Sequence, residues 1–214
     1  MITKKILTGL LFACMLTGNA VFAQSILPDS SNEAKNNLVL SYTLNIKSDK
    51  KNGIAESYNG AIKTIFLTER KARSRMVSLM RVQSIFYSGN SGDERITVVK
   101  ESGKDSYKKN LTRDQWGQMN KKYEDAVYEF IEDSTSILNY NCKKAVIHLK
   151  DGKKIVAFYT TELSNNYFNK VEPAFRGIPG LVLQYEYENK DGKFIYTATN
   201  ISFAVTGPEV YKIP

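Results

Sequence analysis

The sequence predicts a mainly β fold: an antiparallel curved sheet or half-barrel, with a sandwich as the alternative arrangement, and one short helix. Short stretches of alternating apolar and polar residues recur about every ten to fifteen residues and are separated by turn residues, as in antiparallel sheets. Two Asp-Gly dipeptides, at 151–152 and 191–192, each lie between two such stretches and indicate tight hairpins. There is no internal repeat that would favour a repeat architecture.

The individual elements follow from these patterns. Residues 38–46 alternate strictly and predict a half-buried strand. Thr112 is a suitable N-cap for one short helix near 113–122. The connection 162–176 has no regular pattern and is rich in asparagine and aromatic residues. The other predicted strands are 61–70, 72–80, 82–87, 95–100, 143–150, 153–160, 181–189 and 194–203.

The first residues are interpreted as a secretory signal peptide. Lys4 and Lys5 supply the basic region, an apolar segment follows, and a cleavage site ends at Ala23, so the signal covers 1–23. The alternative is a lipoprotein signal in which Cys14 is lipidated. In either case the sequence predicts export, to the periplasm or to the outside of the cell.

The rest of the chain is interpreted as a flexible lead-in over 24–37 and a single β-rich domain over 38–214. The lead-in is polar and rich in turn residues, whereas the domain is long enough to bury a core. No later stretch approaches the roughly 18 consecutive apolar residues of a membrane-spanning helix. We therefore expect no transmembrane segment in the processed chain.

Basic residues outnumber acidic ones and give the whole chain a formal net charge of +8. Residues 1–23 contain two lysines and no acidic residue, so the processed chain carries +6. The densest run consists of Arg70, Lys71, Arg73 and Arg75. An exported chain seldom meets nucleic acid, so we expect a solvated basic surface and no nucleic-acid partner.

The residues that usually carry catalysis or bind metals are scarce. His148 is the single histidine, and Cys142 is the single cysteine outside the signal peptide. On one extended strand these two residues would lie about 20 Å apart, which is too far for a Cys-His pair. We expect neither a transition-metal site nor a cofactor, and we expect Cys142 to be buried. The alternative function that stays open is a thiol-dependent redox protein or enzyme that uses Cys142.

Three segments of the C-terminal half resemble the GLPGLI family of exported Gram-negative envelope proteins. The motif Gly-Ile-Pro-Gly-Leu-Val at 177–182 matches the name motif, and Pro179 followed by Gly180 predicts a type II turn there. The other two segments are 137–145 and 157–163. The family has no settled biochemical function. The resemblance therefore implies an envelope location and supplies no catalytic or binding residues.

Departures from the family pattern gather around the irregular connection. Phe158 replaces the usual tryptophan, Thr161 replaces a proline, and Glu172 with Pro173 stands where a Gly-Pro pair is common. If the family shares a surface around this connection, we therefore expect that surface to differ in this chain.

Aromatic residues crowd the C-terminal third of the chain and can form either an ordinary β core or a ligand site. The functional interpretation is an aromatic-lined cleft under the connection 162–176. Its candidate binding residues are Phe158, Tyr167, Phe168, Phe175 and Tyr185. The sequence thus predicts an exported, non-catalytic envelope protein that binds an apolar small molecule or an envelope protein partner. It does not predict the oligomeric state.

Overall fold

The protein folds into one large antiparallel sheet with three short helices among the residues described here. The structure is a computed structural model, and it describes residues 37–48, 53–89, 92–164 and 167–214. The predicted signal peptide and all of the lead-in except Asn37 lie outside these residues. The strands are β1 (Leu38–Lys47), β2 (Ile62–Leu67), β3 (Lys71–Val77), β4 (Val82–Ser88), β5 (Arg95–Ser102), β6 (Asp105–Leu111), β7 (Val127–Ile137), β8 (Tyr140–His148), β9 (Lys154–Thr160), β10 (Leu181–Asn189) and β11 (Gly192–Ser202). The helices are α1 (Gly53–Tyr58), α2 (Arg113–Met119) and α3 (Phe168–Val171), and 3-10 turns cover Lys121–Tyr123, Pro173–Phe175 and Pro208–Tyr211.

The eleven strands form an open, curled sheet in the order β6-β5-β4-β3-β2-β1-β11-β10-β9-β8-β7. Strands β1–β6 and β7–β11 are therefore two meanders, and the antiparallel pairing of β1 with β11 joins them at the centre. The prediction of a mainly β, antiparallel curved sheet is confirmed. Because β6 and β7 lie at opposite edges, the chain between them crosses from one edge of the sheet to the other.

The main core lies on the inner, concave face of the sheet. Leu38, Leu40, Tyr42 and Leu44 alternate along β1 and point to this face, and each is at most 4% exposed. Strands β8 to β10 contribute a further buried row that includes Ala145, Ile147, Ala157, Leu181 and Leu183. Helix α3 and the turn after it pack into the same core, since Phe168, Val171, Ala174 and Phe175 are buried.

The C-terminal segment lies on the outer face of β3 to β6. The Arg73 guanidinium donates to the Val210 carbonyl oxygen at 2.7 Å and lies over the ring of Phe86. The Lys108 ammonium donates to the carbonyl oxygen of Pro214 at 2.8 Å. This segment helps to bury a small outer group of side chains, among them Phe86 and Val99.

The short-range signals for the two Asp-Gly hairpins and for the helix are confirmed. Both Asp-Gly hairpins form, and Gly152 has the positive φ of 81° that such turns require. Thr112 caps α2 in a capping box with Gln115, so the predicted helix is present, and it ends at Met119. Two further short helices, α1 and α3, occur where the sequence predicts only turns and an irregular connection.

Candidate ligand-binding cleft

Two chain segments cross the concave face and leave a cleft between them. The segment 112–126 joins β6 to β7, and α2 within it packs against β5 and β6. The segment 161–180 joins β9 to β10, and α3 within it packs against β3 and β4. Two neighbouring cavities, of about 430 and 200 Å³, lie beside these segments. Both cavities are lined by Lys63, Tyr123, Glu172, Ala174 and Tyr196, and we call them together the concave cleft.

The floor of the larger cavity is a layer of tyrosine rings. Tyr185 and Tyr196 lie opposite each other on β10 and β11 and stack with their ring centres 4.5 Å apart. Tyr187 stacks on Phe194 at 5.2 Å in the same way, and Phe175 contacts Tyr185 edge to face at 5.0 Å. Burial raises the pKa of Tyr185, Tyr187 and Tyr196, so these hydroxyl groups stay protonated at neutral pH. They can therefore donate and accept hydrogen bonds, but they carry no charge.

A nearly buried ion pair lies at the junction of the two cavities. The Lys63 ammonium of β2 is 2.6 Å from Glu172 Oε1, and each side chain is only 12% exposed. The same ammonium donates to the Tyr185 hydroxyl at 2.9 Å, and the Ser74 hydroxyl donates to Glu172 Oε1 at 3.2 Å. These contacts tie the 161–180 segment to the sheet and place a fixed positive and negative group beside the tyrosine floor.

The larger cavity is also lined by charged residues. They are Lys122, Lys153, Lys154 and the acidic Glu188. Lys153 is paired with Asp151 at 2.5 Å. The arrangement suits a ligand with an apolar or aromatic body and a polar or anionic end.

The structure brings together four of the five predicted binding residues. Phe168 and Phe175 are 1% exposed, Tyr185 is 6% exposed, and all three are part of the core on the concave face. Tyr167 is half-buried and contacts Tyr87 edge to face at 6.1 Å. Only Phe175 and Tyr185 line the larger cavity. Tyr167 and Phe168 pack the segment that contains α3 against the sheet.

Phe158 is separated from the other four. It alternates along β9 with the buried Ala157 and Tyr159, so it points to the outer face. There its ring lies under the ammonium of Lys144, 5.9 Å from the ring centre. It therefore does not line the cleft.

The motif at 177–182 contains no type II turn, and its glycines have a different role. The N–H of Gly180 donates to the Ile178 carbonyl oxygen at 3.0 Å, which is a three-residue γ-turn, and its φ of 158° lies close to the extended region. A Cβ on Gly180 would lie 2.1 Å from the Thr160 carbonyl oxygen. A Cβ on Gly177 would lie 2.5 Å from the ring of Tyr128. Both glycines are thus required by close packing.

The structure places Cys142 and His148 in different environments. Cys142 is fully buried, and burial raises the pKa of its thiol. His148 is partly exposed on the opposite end of β8, where its Nε2 is 2.8 Å from a Glu129 carboxylate oxygen. A thiol-dependent function would need an accessible thiolate, so this geometry does not favour the Cys142 alternative.

The polar centre of the cleft was not predicted from the sequence. On β2, Lys63 points to the same inner face as the buried Ile65 and Leu67. A lysine at an inward-facing position was the one feature of the sequence that could have indicated a polar site there. Glu172 was noted only as a departure from the family pattern. Nothing in the sequence indicated that it would meet Lys63.

The residues that the structure describes contain no group of three or more histidine, cysteine, aspartate or glutamate side chains that could hold a metal ion. None of the helices in the same residues is long and apolar enough to cross a membrane.

The comparisons with known proteins give structural likenesses only. No family model and no curated protein matches the chain. Among solved structures, PNGF-II is 16% identical with a TM-score of 0.45, and the match covers 82% of this chain and 29% of PNGF-II. MucB alone is 11% identical with a TM-score of 0.41, covering 85% of this chain and 58% of MucB. MucB in complex with MucA(peri) is 12% identical with a TM-score of 0.40, covering 86% and 57%. The chain therefore spans less than two thirds of each of these proteins, and at these scores we draw no functional conclusion from them.

Proposed function

We propose that this chain is an exported, non-catalytic protein of the cell envelope, and that it binds an apolar ligand in the concave cleft. The observation that carries the proposal is the larger cavity, whose tyrosine floor lies next to the Lys63–Glu172 pair. Its volume of about 430 Å³ falls within the usual range for small-molecule sites. Ligand sites of this kind combine apolar or aromatic surface with placed polar groups. Here the tyrosine rings and Phe175 supply the aromatic part, and the Lys63–Glu172 pair supplies fixed charges.

We also propose membership of the GLPGLI family, on the strength of the three sequence segments. The packing of Gly177 and Gly180 supports a fixed motif, because neither position has room for a side chain. The proposed export rests on the signal peptide interpretation of residues 1–23.

The binding proposal is tested with N-phenyl-1-naphthylamine, a neutral aromatic probe whose fluorescence rises in apolar sites. We expect the wild-type protein to bind this probe, and Tyr187→Ala to bind it at least about tenfold more weakly, because the ring forms part of the cavity floor. Tyr107→Ala is the matched control, since Tyr107 is 53% exposed on β6 and does not line the cleft. Urea unfolding of both variants shows whether each is folded under the binding conditions.

Native mass spectrometry of the protein purified from its own envelope identifies the ligand. A reproducible adduct that is absent from Tyr187→Ala is the expected result, and its mass gives the ligand class. A bare monomer, together with equal probe binding by wild type and Tyr187→Ala, would contradict the proposal and favour a protein partner. The denatured mass also tests processing, because cleavage after Ala23 leaves an unmodified chain and lipidation at Cys14 adds mass.

A further inference from the structure

The turn between β3 and β4 exposes two consecutive large apolar side chains. Leu79 is 88% exposed and Met80 is 64% exposed. The turn itself is well formed, since the N–H of Ser78 donates to the Arg81 carbonyl oxygen at 2.9 Å. Tight turns of this kind usually carry glycine, asparagine or aspartate at the tip. Leucine and methionine at the tip of an exposed turn therefore indicate that a binding partner covers them.

The exposed apolar surface continues from the turn onto the outer face of the sheet. Ile62, Val77 and Val82 lie side by side on β2, β3 and β4, as the strand register shows. Ile62 is 52% exposed, and the two valines are half-buried. Because Lys63 points to the concave face, its neighbour Ile62 points to the outer face. We call these three residues together with Leu79 and Met80 the apolar tip.

The outer face next to the apolar tip is basic. The cations Lys47, Lys71, Arg73 and Arg75 lie on this face, and none of them is in an ion pair with an aspartate or glutamate side chain of the residues described here. Arg73 donates instead to the Val210 carbonyl oxygen, and Lys108, also on this face, donates to a main-chain oxygen of Pro214. Two acidic residues also lie on this side, Glu101 opposite Val82 in the strand register and Glu209 paired with Lys212, and the cations outnumber them.

We propose that this outer face docks on an anionic membrane surface, with Leu79 and Met80 entering the interfacial layer of the bilayer. The side chains of Lys47, Lys71 and Arg75 complement anionic head groups, and each such cation near the surface adds to the attraction. The apolar tip projects from a turn, so it can enter a soft lipid interface without a preformed pocket in the partner. This face is opposite the concave cleft, so membrane docking leaves the cleft open to its ligand.

Vesicle flotation tests the proposal with the full processed chain. We expect wild-type protein to float with vesicles of phosphatidylglycerol and phosphatidylethanolamine, and to bind pure phosphatidylcholine vesicles at least about tenfold more weakly. The double substitution Leu79→Ser/Met80→Ser should weaken binding to the anionic vesicles at least about fivefold, because it removes the inserted side chains. Arg75→Gln should weaken it as well, and the loss should shrink as salt is raised.

Val127→Ser is the matched control for the apolar tip. Val127 is 64% exposed on the edge strand β7, far along the sheet from β3 and β4. We expect this variant to float as the wild type does, and Tyr187→Ala, which alters the cleft, to do the same. Failure of the wild type to float with anionic vesicles would overturn the proposal. Equal flotation of wild type and the Leu79→Ser/Met80→Ser protein would also overturn it, as would a dimer that depends on these two residues and forms without lipid.

Discussion

Replacing Gly180 with alanine should lower the free energy of unfolding by about 2–4 kcal/mol. The added Cβ would lie 2.1 Å from the Thr160 carbonyl oxygen, whereas unstrained carbon–oxygen contacts begin at about 3.3 Å. The Thr160 carbonyl is a backbone group, and the backbone of Gly180 fixes the position of an added Cβ. Thr160 ends β9 and pairs with Leu181 at the start of β10. Neither group can rotate away, so the two strand ends must separate by roughly 1 Å.

Two costs contribute to this estimate. Overpacking a well-filled interior costs about 1–3 kcal/mol. Weakening a backbone hydrogen bond between the strand ends adds about 1 kcal/mol. Thr160 and Leu181 are both 0% exposed, so water cannot replace a bond that is lost there. For a domain of this size the sum corresponds to a melting temperature roughly 5–15 °C lower.

Urea unfolding followed by circular dichroism measures the effect. Gly117→Ala is the matched control, because it makes the same chemical change in an exposed position of α2, where an added Cβ meets nothing within 4 Å. That control should gain about 0.5–1 kcal/mol from helix propensity. If Gly180→Ala unfolds within about 0.5 kcal/mol of the wild type, the close approach to Thr160 is not the reason for glycine at this position.

Three further predictions concern the motif, the ion pair and the thiol. Gly177→Ala should cost less than Gly180→Ala, about 1–2 kcal/mol in urea unfolding, because the clash is with the Tyr128 side chain, and Tyr128→Ala should relieve it. Glu172→Gln should lower stability by about 2–4 kcal/mol, since it leaves the Lys63 ammonium nearly buried without a counter-charge; an unchanged urea midpoint would contradict this. Cys142 should resist a thiol reagent at pH 8 in the native protein and react in urea, because it is fully buried; rapid labelling of native protein would be the opposite result.

Local chemistry explains why part of the fold could be predicted from the sequence. The Asp151-Gly152 and Asp191-Gly192 hairpins depend on the backbone freedom of glycine at fixed positions, and both are present. Strand β1 was predicted because one of its faces is buried along most of its length, which forces strict alternation. Thr112 was recognised as an N-cap because capping depends on residues only three positions apart.

The missed strands lack such signals for physical reasons. Strand β6 lies at one edge of the sheet and is exposed at every residue except Leu111, so no apolar alternation marks it. Strand β7 lies at the other edge, and its register shifts between Ile131 and Ser134. Two extra residues of β7 stand here without a partner on β8, and only Ile137 of the strand is buried, so no apolar alternation marks it either.

The concave cleft was only half predicted because its parts come from distant regions of the chain. Aromatic residues of β10 and β11 are close in sequence, so their clustering was visible, and Tyr185 was named as a binding residue. Lys63, Tyr123 and Glu172 come from three separate segments and meet only after the sheet has curled. Chain order alone could not indicate that contact.

The Lys63–Glu172 pair also bears on why the cleft exists. A nearly buried ion pair often contributes no more stability than well-packed apolar residues of similar volume would, because both charges lose their hydration. Stability alone therefore gives little reason to keep two charges beside the tyrosine floor. The cavity beside the pair is lined by neutral tyrosine side chains and by three further lysines. A ligand with an apolar body and a polar end uses all three features at once, which is why we assign binding to the concave face.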